Sequence, residues 1–191
     1  TGGGVKCWGS NTSGQLGDNT TDYRFSPVDV MGLASGANGI ASGGGPACAR
    51  TTAGGVKCWG GNGNGQVGDS TVTNRLVPVD VTGLASGAGA MAAGGNHTCV
   101  ATTAGGARCW GDNSSGQLGD NSTGRRLVAV DVAGLGGAVN AIAAGAAHTC
   151  VLTAAGGVRC WGNNNGGQLG DNTTAFRYAP GDVSGLSSGV A

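Results

Sequence analysis

The chain has 191 residues, 43 of them glycine, and only 10% are charged, with ten Lys and Arg balancing ten Asp and Glu. A neutral chain with no basic stripe is not built for sequence-independent phosphate binding, which draws on counterion release by clustered Lys and Arg. Glycine without a Gly-X-Y period excludes collagen and leaves a turn-rich all-β array, and no apolar run reaches the roughly 18 residues that cross a bilayer as a helix.

From the N-terminus, Cys7-Trp8-Gly9 is the first of four identical tripeptides; the others are Cys58-Trp59-Gly60, Cys109-Trp110-Gly111 and Cys160-Trp161-Gly162, spaced by 51 residues. Eight residues after each Cys stands Gln-Leu/Val-Gly-Asp, beginning at Gln15, Gln66, Gln117 and Gln168. Arg24, Arg75, Arg126 and Arg177 keep the same phase, as do Asp29, Asp80, Asp131 and Asp182. Nothing is inserted or deleted, so each unit is expected to meet its neighbours through one geometry, the condition for a stacked or circular array. The units are 1–38, 39–89, 90–140 and 141–191. Thr1 corresponds to Thr52 inside a hairpin turn and Ala191 to Asn140 just before a strand, which reads as a stretch of a longer array.

Within a unit, four short strands bounded by Gly, Asn, Asp and Pro predict one four-stranded sheet. The first is expected over 142–145, with counterparts at 40–43 and 91–94; its small apolar residues suit a crowded central axis. The second and third are expected over 149–153 and Val158–Gly162. The fourth, over 179–183, is expected to open with proline in three of four units (Pro27, Pro78, Pro180), which places it at a sheet edge because proline lacks the amide donor. The fold class is therefore all-β, a β-propeller of four-stranded blades, with nearly four blades present.

Cys48, Cys99 and Cys150 each precede a Cys-Trp-Gly cysteine by ten residues. If Cys150 and Cys160 oppose each other in a hairpin, the loop is Ala154-Ala155-Gly156, with glycine in the left-handed third position of a type I turn plus G1 bulge. Gly54 and Gly105 fall at the same place, which supports the register and predicts disulfides Cys48–Cys58, Cys99–Cys109 and Cys150–Cys160, with Cys7 unpaired within the chain. Nine intervening residues do not match zinc-ligand spacing. Disulfides imply an oxidising compartment, so the expected location is extracellular or at the cell surface.

Trp8, Trp59, Trp110 and Trp161 are the only large residues in every unit and are expected to pack between blades. The series His-Thr-Cys-Val, Gly-Gly-Val-Arg-Cys-Trp-Gly and Asn-x-x-Gly-Gln-Leu-Gly-Asp resembles the bacterial form of the regulator-of-chromosome-condensation repeat, over essentially the whole chain. The resemblance implies a propeller, commonly seven-bladed, and no single activity. Members of the family act as a nucleotide-exchange factor for a small GTPase, as a secreted β-lactamase inhibitor and as surface proteins.

Residues repeated in phase are read first as structure. His97 and His148 share one repeat position, but Pro46 occupies it in the preceding unit, so a Ser-His-Asp or Cys-His site finds no support. The Gly-Asp pairs at Asp18, Asp69, Asp120 and Asp171 lack the closely spaced carboxylates of a calcium loop and read as Asx-type turns. No cofactor or metal site is expected. The repeated arginines are expected to bond a carbonyl or the repeated Asp. Six Asn-x-Ser/Thr sequons occur, at Asn11, Asn19, Asn96, Asn113, Asn121 and Asn172.

What varies between equal units points to binding. The residue after the repeated Arg is always apolar (Phe25, Leu76, Leu127, Tyr178) and is expected to face inward; the residue before it is Tyr23, Asn74, Arg125 or Phe176. Exposed aromatic and Arg side chains dominate interface energies. Tyr23, Arg125 and Phe176, with Asn163, Asn164 and Asn165 of the loop 163–167, are the expected contact surface. The expected role is a non-enzymatic extracellular module that binds a protein or other macromolecule through its loops, without nucleic acid and without membrane insertion. The alternative is a structural subunit of a surface layer or fibre that self-associates through open blade ends; an enzyme or a glycan-binding lectin ranks below both.

Overall fold

The computed structural model describes residues 2–190. Its strands are β1 (Lys6–Gly9), β2 (Arg24–Asp29), β3 (Ala37–Ser42), β4 (Pro46–Thr51), β5 (Val56–Gly60), β6 (Arg75–Asp80), β7 (Ala88–Ala93), β8 (His97–Thr102), β9 (Ala107–Gly111), β10 (Arg126–Asp131), β11 (Val139–Ala144), β12 (His148–Thr153), β13 (Val158–Gly162) and β14 (Arg177–Asp182). They form a two-stranded sheet, β1-β2, and three four-stranded antiparallel meanders, β3 to β6, β7 to β10 and β11 to β14. The first unit thus contributes only the outer half of a blade.

The stapled hairpin has the register that its glycine demands. Cys150 lies opposite Cys160, Thr153 O accepts from Gly156 N at 2.9 Å, and Thr153 N donates to Gly157 O at 2.8 Å. Gly156 has φ 77°, which a side chain resists. Sulfur pairs close at Cys48–Cys58, Cys99–Cys109 and Cys150–Cys160, and Cys7 is free.

Two strand boundaries differ from the sequence reading. The innermost strands begin three residues earlier than expected, at Ala37, Ala88 and Val139, because backbone pairing with β4, β8 and β12 extends past the apolar core of the strand. The outermost strands begin at the repeated Arg, so Pro27, Pro78 and Pro180 sit inside them and not at their start. These strands are sheet edges, and the ladder shifts register there, between Cys58 and Gly60 in the second unit. A bulge on an edge strand is where a missing N–H costs least.

The core lies in the seams between sheets. Val5, Val30, Leu33, Ala47, Ala49 and Trp59 fill the first seam, and two further clusters repeat it around Trp110 and Trp161. Burying one such indole removes on the order of 200 Å² from water, worth roughly 5 kcal/mol of transfer free energy.

Candidate interaction surface

Each unit carries an identical clasp that holds its long loop. In the first unit Asn11 is buried; its Oδ1 accepts from Leu16 N at 2.9 Å and its Nδ2 donates to Thr20 O at 3.0 Å. Asp18 Oδ1 accepts from Thr20 N at 3.1 Å and from its hydroxyl at 2.7 Å, which is the Asx turn, while Oδ2 accepts from Arg24 Nε at 2.7 Å. The same set recurs as Asn62-Asp69-Thr71-Arg75, Asn113-Asp120-Ser122-Arg126 and Asn164-Asp171-Thr173-Arg177. Burial acts to raise the Asp18 pKa, but the Thr20 hydroxyl, the Arg24 guanidinium, the Thr20 amide and the Asn11 amide together hold it down at about 2. The repeated arginines therefore serve the repeated aspartates and are not free for an external phosphate.

The buried asparagine is the keystone that sequence reasoning passed over. Its signal is in the sequence, an Asn at the same phase in all four units: Asn11, Asn62, Asn113 and Asn164. Two consequences follow. Asn11 and Asn113 belong to sequons yet are fully buried, so their amides are closed to glycan transfer in the folded chain, whereas Asn19, Asn96, Asn121 and Asn172 are exposed. Asn164 turns inward as the fourth keystone and is corrected from surface contact to structure.

Trp59, Trp110 and Trp161 are buried between sheets, each donating its indole N–H to the Gln carbonyl of the preceding unit: Gln15 at 2.9 Å, Gln66 at 2.8 Å and Gln117 at 2.9 Å. Trp8 is 63% exposed, since no sheet lies on that side among the described residues. Phe25 departs from the expected inward packing for the same reason and is 98% exposed. Leu76, Leu127 and Tyr178 rest on the preceding unit, where a Cβ added at Gly14, Gly65 or Gly116 would strike them within 2.5 Å.

The third seam has a polar insert. His97 is fully buried, and its Nε2 lies 2.9 Å from the Thr149 hydroxyl, which donates to Gln117 O at 2.8 Å. Burial, opposed by the charge of Asp112 and reinforced by His148, lowers the His97 pKa to about 4, so the ring is neutral near pH 7. Walled in by the seam, it has no access to a substrate.

The residues before the repeated Arg share one rim, at the start of the outermost strands. Tyr23 is 55% exposed, and Arg125 is exposed with Nη1 3.4 Å from the Gly63 carbonyl of the preceding unit. Phe176 is half-buried. Asn165 is exposed and half-buried Asn163 uses its Oδ1 to accept from Asn165 N at 3.0 Å and Gln168 Nε2 at 2.9 Å. Tyr23 and Phe176 stand in the first and last sheets, with two whole sheets between them.

Known proteins match this architecture along the chain. The regulator of chromosome condensation (RCC1) repeat matches residues 3–49, 53–101 and 105–152, and a second description of the same repeat matches 90–117 and 139–168. The ultraviolet-B receptor UVR8 of Arabidopsis thaliana is 31% identical over 187 residues, 96% of this chain and 42% of the relative. The probable E3 ubiquitin-protein ligase HERC3 of Homo sapiens is 32% identical over 191 residues, 93% of this chain and 17% of the relative. The structure of human WBSCR16 superposes with a TM-score of 0.85 at 26% identity, covering 95% of this chain and 48% of that one. Prp20p of Saccharomyces cerevisiae gives 0.82 at 21% identity, covering 95% and 46%. The chain thus spans less than half the length of these relatives. With its repeat, its blade topology and its seams all accounted for, the chain belongs to the regulator of chromosome condensation (RCC1) repeat family of β-propellers.

Proposed function

We propose that the chain is a non-enzymatic recognition module of an extracellular or cell-surface protein, binding a macromolecule through the rim formed by Tyr23, Arg125, Phe176 and the loop residues Asn163 and Asn165. The observation that carries this reading is the division of labour within one segment. The clasp Asn-Asp-Thr/Ser-Arg is built identically in every unit, yet the residue immediately before its Arg changes from Tyr to Asn to Arg to Phe. A rigid frame that carries variable side chains at its edge is the arrangement of a binding surface. Yeast RCC1 has been crystallised with Kap60, and Prp20p has been studied for binding to Gsp1p and histones; protein recognition by propellers of this repeat supports the same class of partner here. The three disulfides support an oxidising compartment.

The test is selection of binders to the intact chain from a random displayed peptide library, repeated on the triple substitution Tyr23→Ser, Arg125→Ser, Phe176→Ser. Capture is expected to fall at least tenfold while the thermal transition moves by only a few degrees, the shift produced by about 1 kcal/mol. Undiminished capture by the variant would place binding elsewhere and withdraw the rim.

A further inference from the structure

The outermost strands β2, β6, β10 and β14 are laid on their sheets by one ladder. Cys7, Cys58, Cys109 and Cys160 face Val28, Val79, Val130 and Gly181, and the Asp that follows each of these faces the Lys or Arg before the Cys. The direction of the amides follows from a bond just past β10: Val132 N donates to Ala107 O at 2.9 Å, so Val132 points its N–H into the sheet. Backbone groups alternate along a strand. Val130 therefore also turns inward, and the N–H and C=O of Ala129 and Asp131 aim off the free edge of the sheet.

Position 129 is where the four strands part. Its counterparts are Pro27, Pro78 and Pro180, which have no N–H, and yet the ladder around them is the one that β10 makes. The Ala129 N–H is thus surplus to the ladder. Among the described residues no loop carbonyl accepts from it. Proline on an edge strand denies a donor to an approaching strand, which guards against sheet-to-sheet pairing. Among the described outermost strands, β10 alone lacks that guard.

We propose that β10 is a self-association edge, pairing antiparallel with β10 of a second copy about a two-fold axis so that one four-stranded sheet continues into the other. The occupant is a second copy because this strand is complementary to itself in two respects. Each copy offers outward donors and outward acceptors at Ala129 and Asp131, and an isologous contact uses every one of them twice. The strand also carries opposite charges at its ends, Arg125 and Arg126 at the start and Asp131, with a side chain 79% exposed, at the finish. Antiparallel pairing sets the basic end of each copy beside the acidic end of the other, and Arg125 has no carboxylate partner among the described residues. Such exposed charges fix the register and add little affinity. The contact is closed by its two-fold axis, so association stops at the dimer, and it is short, so the dimer is weak. The inference does not rest on the binding rim.

Sedimentation velocity of the full chain across a concentration series tests this, with backbone hydrogen exchange at both ends of the series. The wild type is expected to pass from monomer to dimer, and the Ala129 and Asp131 amides to exchange slower by about tenfold or more as the dimer fills. Ala129→Pro installs the residue that the other three strands already carry, so it is expected to keep the wild-type melt and to stay monomeric at every concentration. It leaves Tyr23, Arg125 and Phe176 in place, so peptide capture at the rim is expected to be unchanged. Ala129→Gly keeps the amide and is expected to dimerise. A wild type that stays monomeric, a dimer in which these two amides exchange as they do in the monomer, or an Ala129→Pro chain that associates like the wild type would each overturn the proposal.

Discussion

The pentapeptide Val-Lys-Cys-Trp-Gly occurs twice, at Val5 to Gly9 and at Val56 to Gly60, and its two copies share a local structure but not an environment. Both form the third strand of a unit, and both pair Lys with the Asp 23 residues on, Lys6 to Asp29 at 2.6 Å and Lys57 to Asp80 at 2.7 Å. Yet Trp59 is 1% exposed and Trp8 63%; Cys58 is joined to Cys48 and Cys7 is free. The strand and its ion pair are therefore local properties, while burial and cross-linking come from what stands alongside.

The largest expected effect comes from breaking the buried copy. Trp59→Ala should cost about 3–5 kcal/mol, as for large aromatic truncations in a core, against under about 1 kcal/mol for Trp8→Ala in dilute solution. Urea unfolding of both variants checks this, and equal losses would show that the two tryptophans share one environment after all. Next comes the staple. Replacing Cys48 and Cys58 together with Ala should cost about 2–3 kcal/mol, because the short loop that they close, with a sequence separation of 10, limits the entropy removed from the unfolded chain, whereas Cys7→Ser should stay within about 0.5 kcal/mol.

The clasp and the exposed ion pair extend the comparison to polar groups. Asp120 is nearly buried and accepts from Asn113 Nδ2, the Ser122 amide and hydroxyl and Arg126 Nε, so Asp120→Ala removes an acceptor from four donors and should cost about 2 kcal/mol. Lys57→Ala should be nearly neutral, since its partner Asp80 is solvent-exposed. Thermal melts of the two variants separate the cases.

The last comparison sets two seams against each other in acid. The folded pKa of His97, about 4, lies below its ordinary 6.5, so the neutral ring stabilises the fold. That contribution is fully present above pH 6.5 and is lost as pH falls toward 4. Below that range the clasp follows, because Asp18, held at about 2 against an ordinary 3.8, loses its contribution between pH 4 and 2. Hydrogen exchange should report loosening first between the third and fourth sheets, and His97→Gln should flatten the pH 6.5-to-4 slope. The seam between the second and third sheets, where Pro46 takes the histidine position, should not respond in that range.

The exact 51-residue phase, the hairpin turn glycines and the cysteine spacing of ten were sufficient for the sequence by itself to determine the repeat, the all-β blade and the hairpin register, because turn geometry and strand pairing act over a few residues and leave a mark in each unit. The tertiary structure decided the rest. Whether Trp8 or Phe25 is core or surface depends on a neighbouring turn that their own unit does not supply. Asn164 became a buried keystone, not a surface contact, only once Leu169, Asp171 and Thr173 were folded around it. The pairing of each buried tryptophan with a glutamine carbonyl 44 residues earlier in the chain has no local signal; it follows from stacking one interface repeatedly.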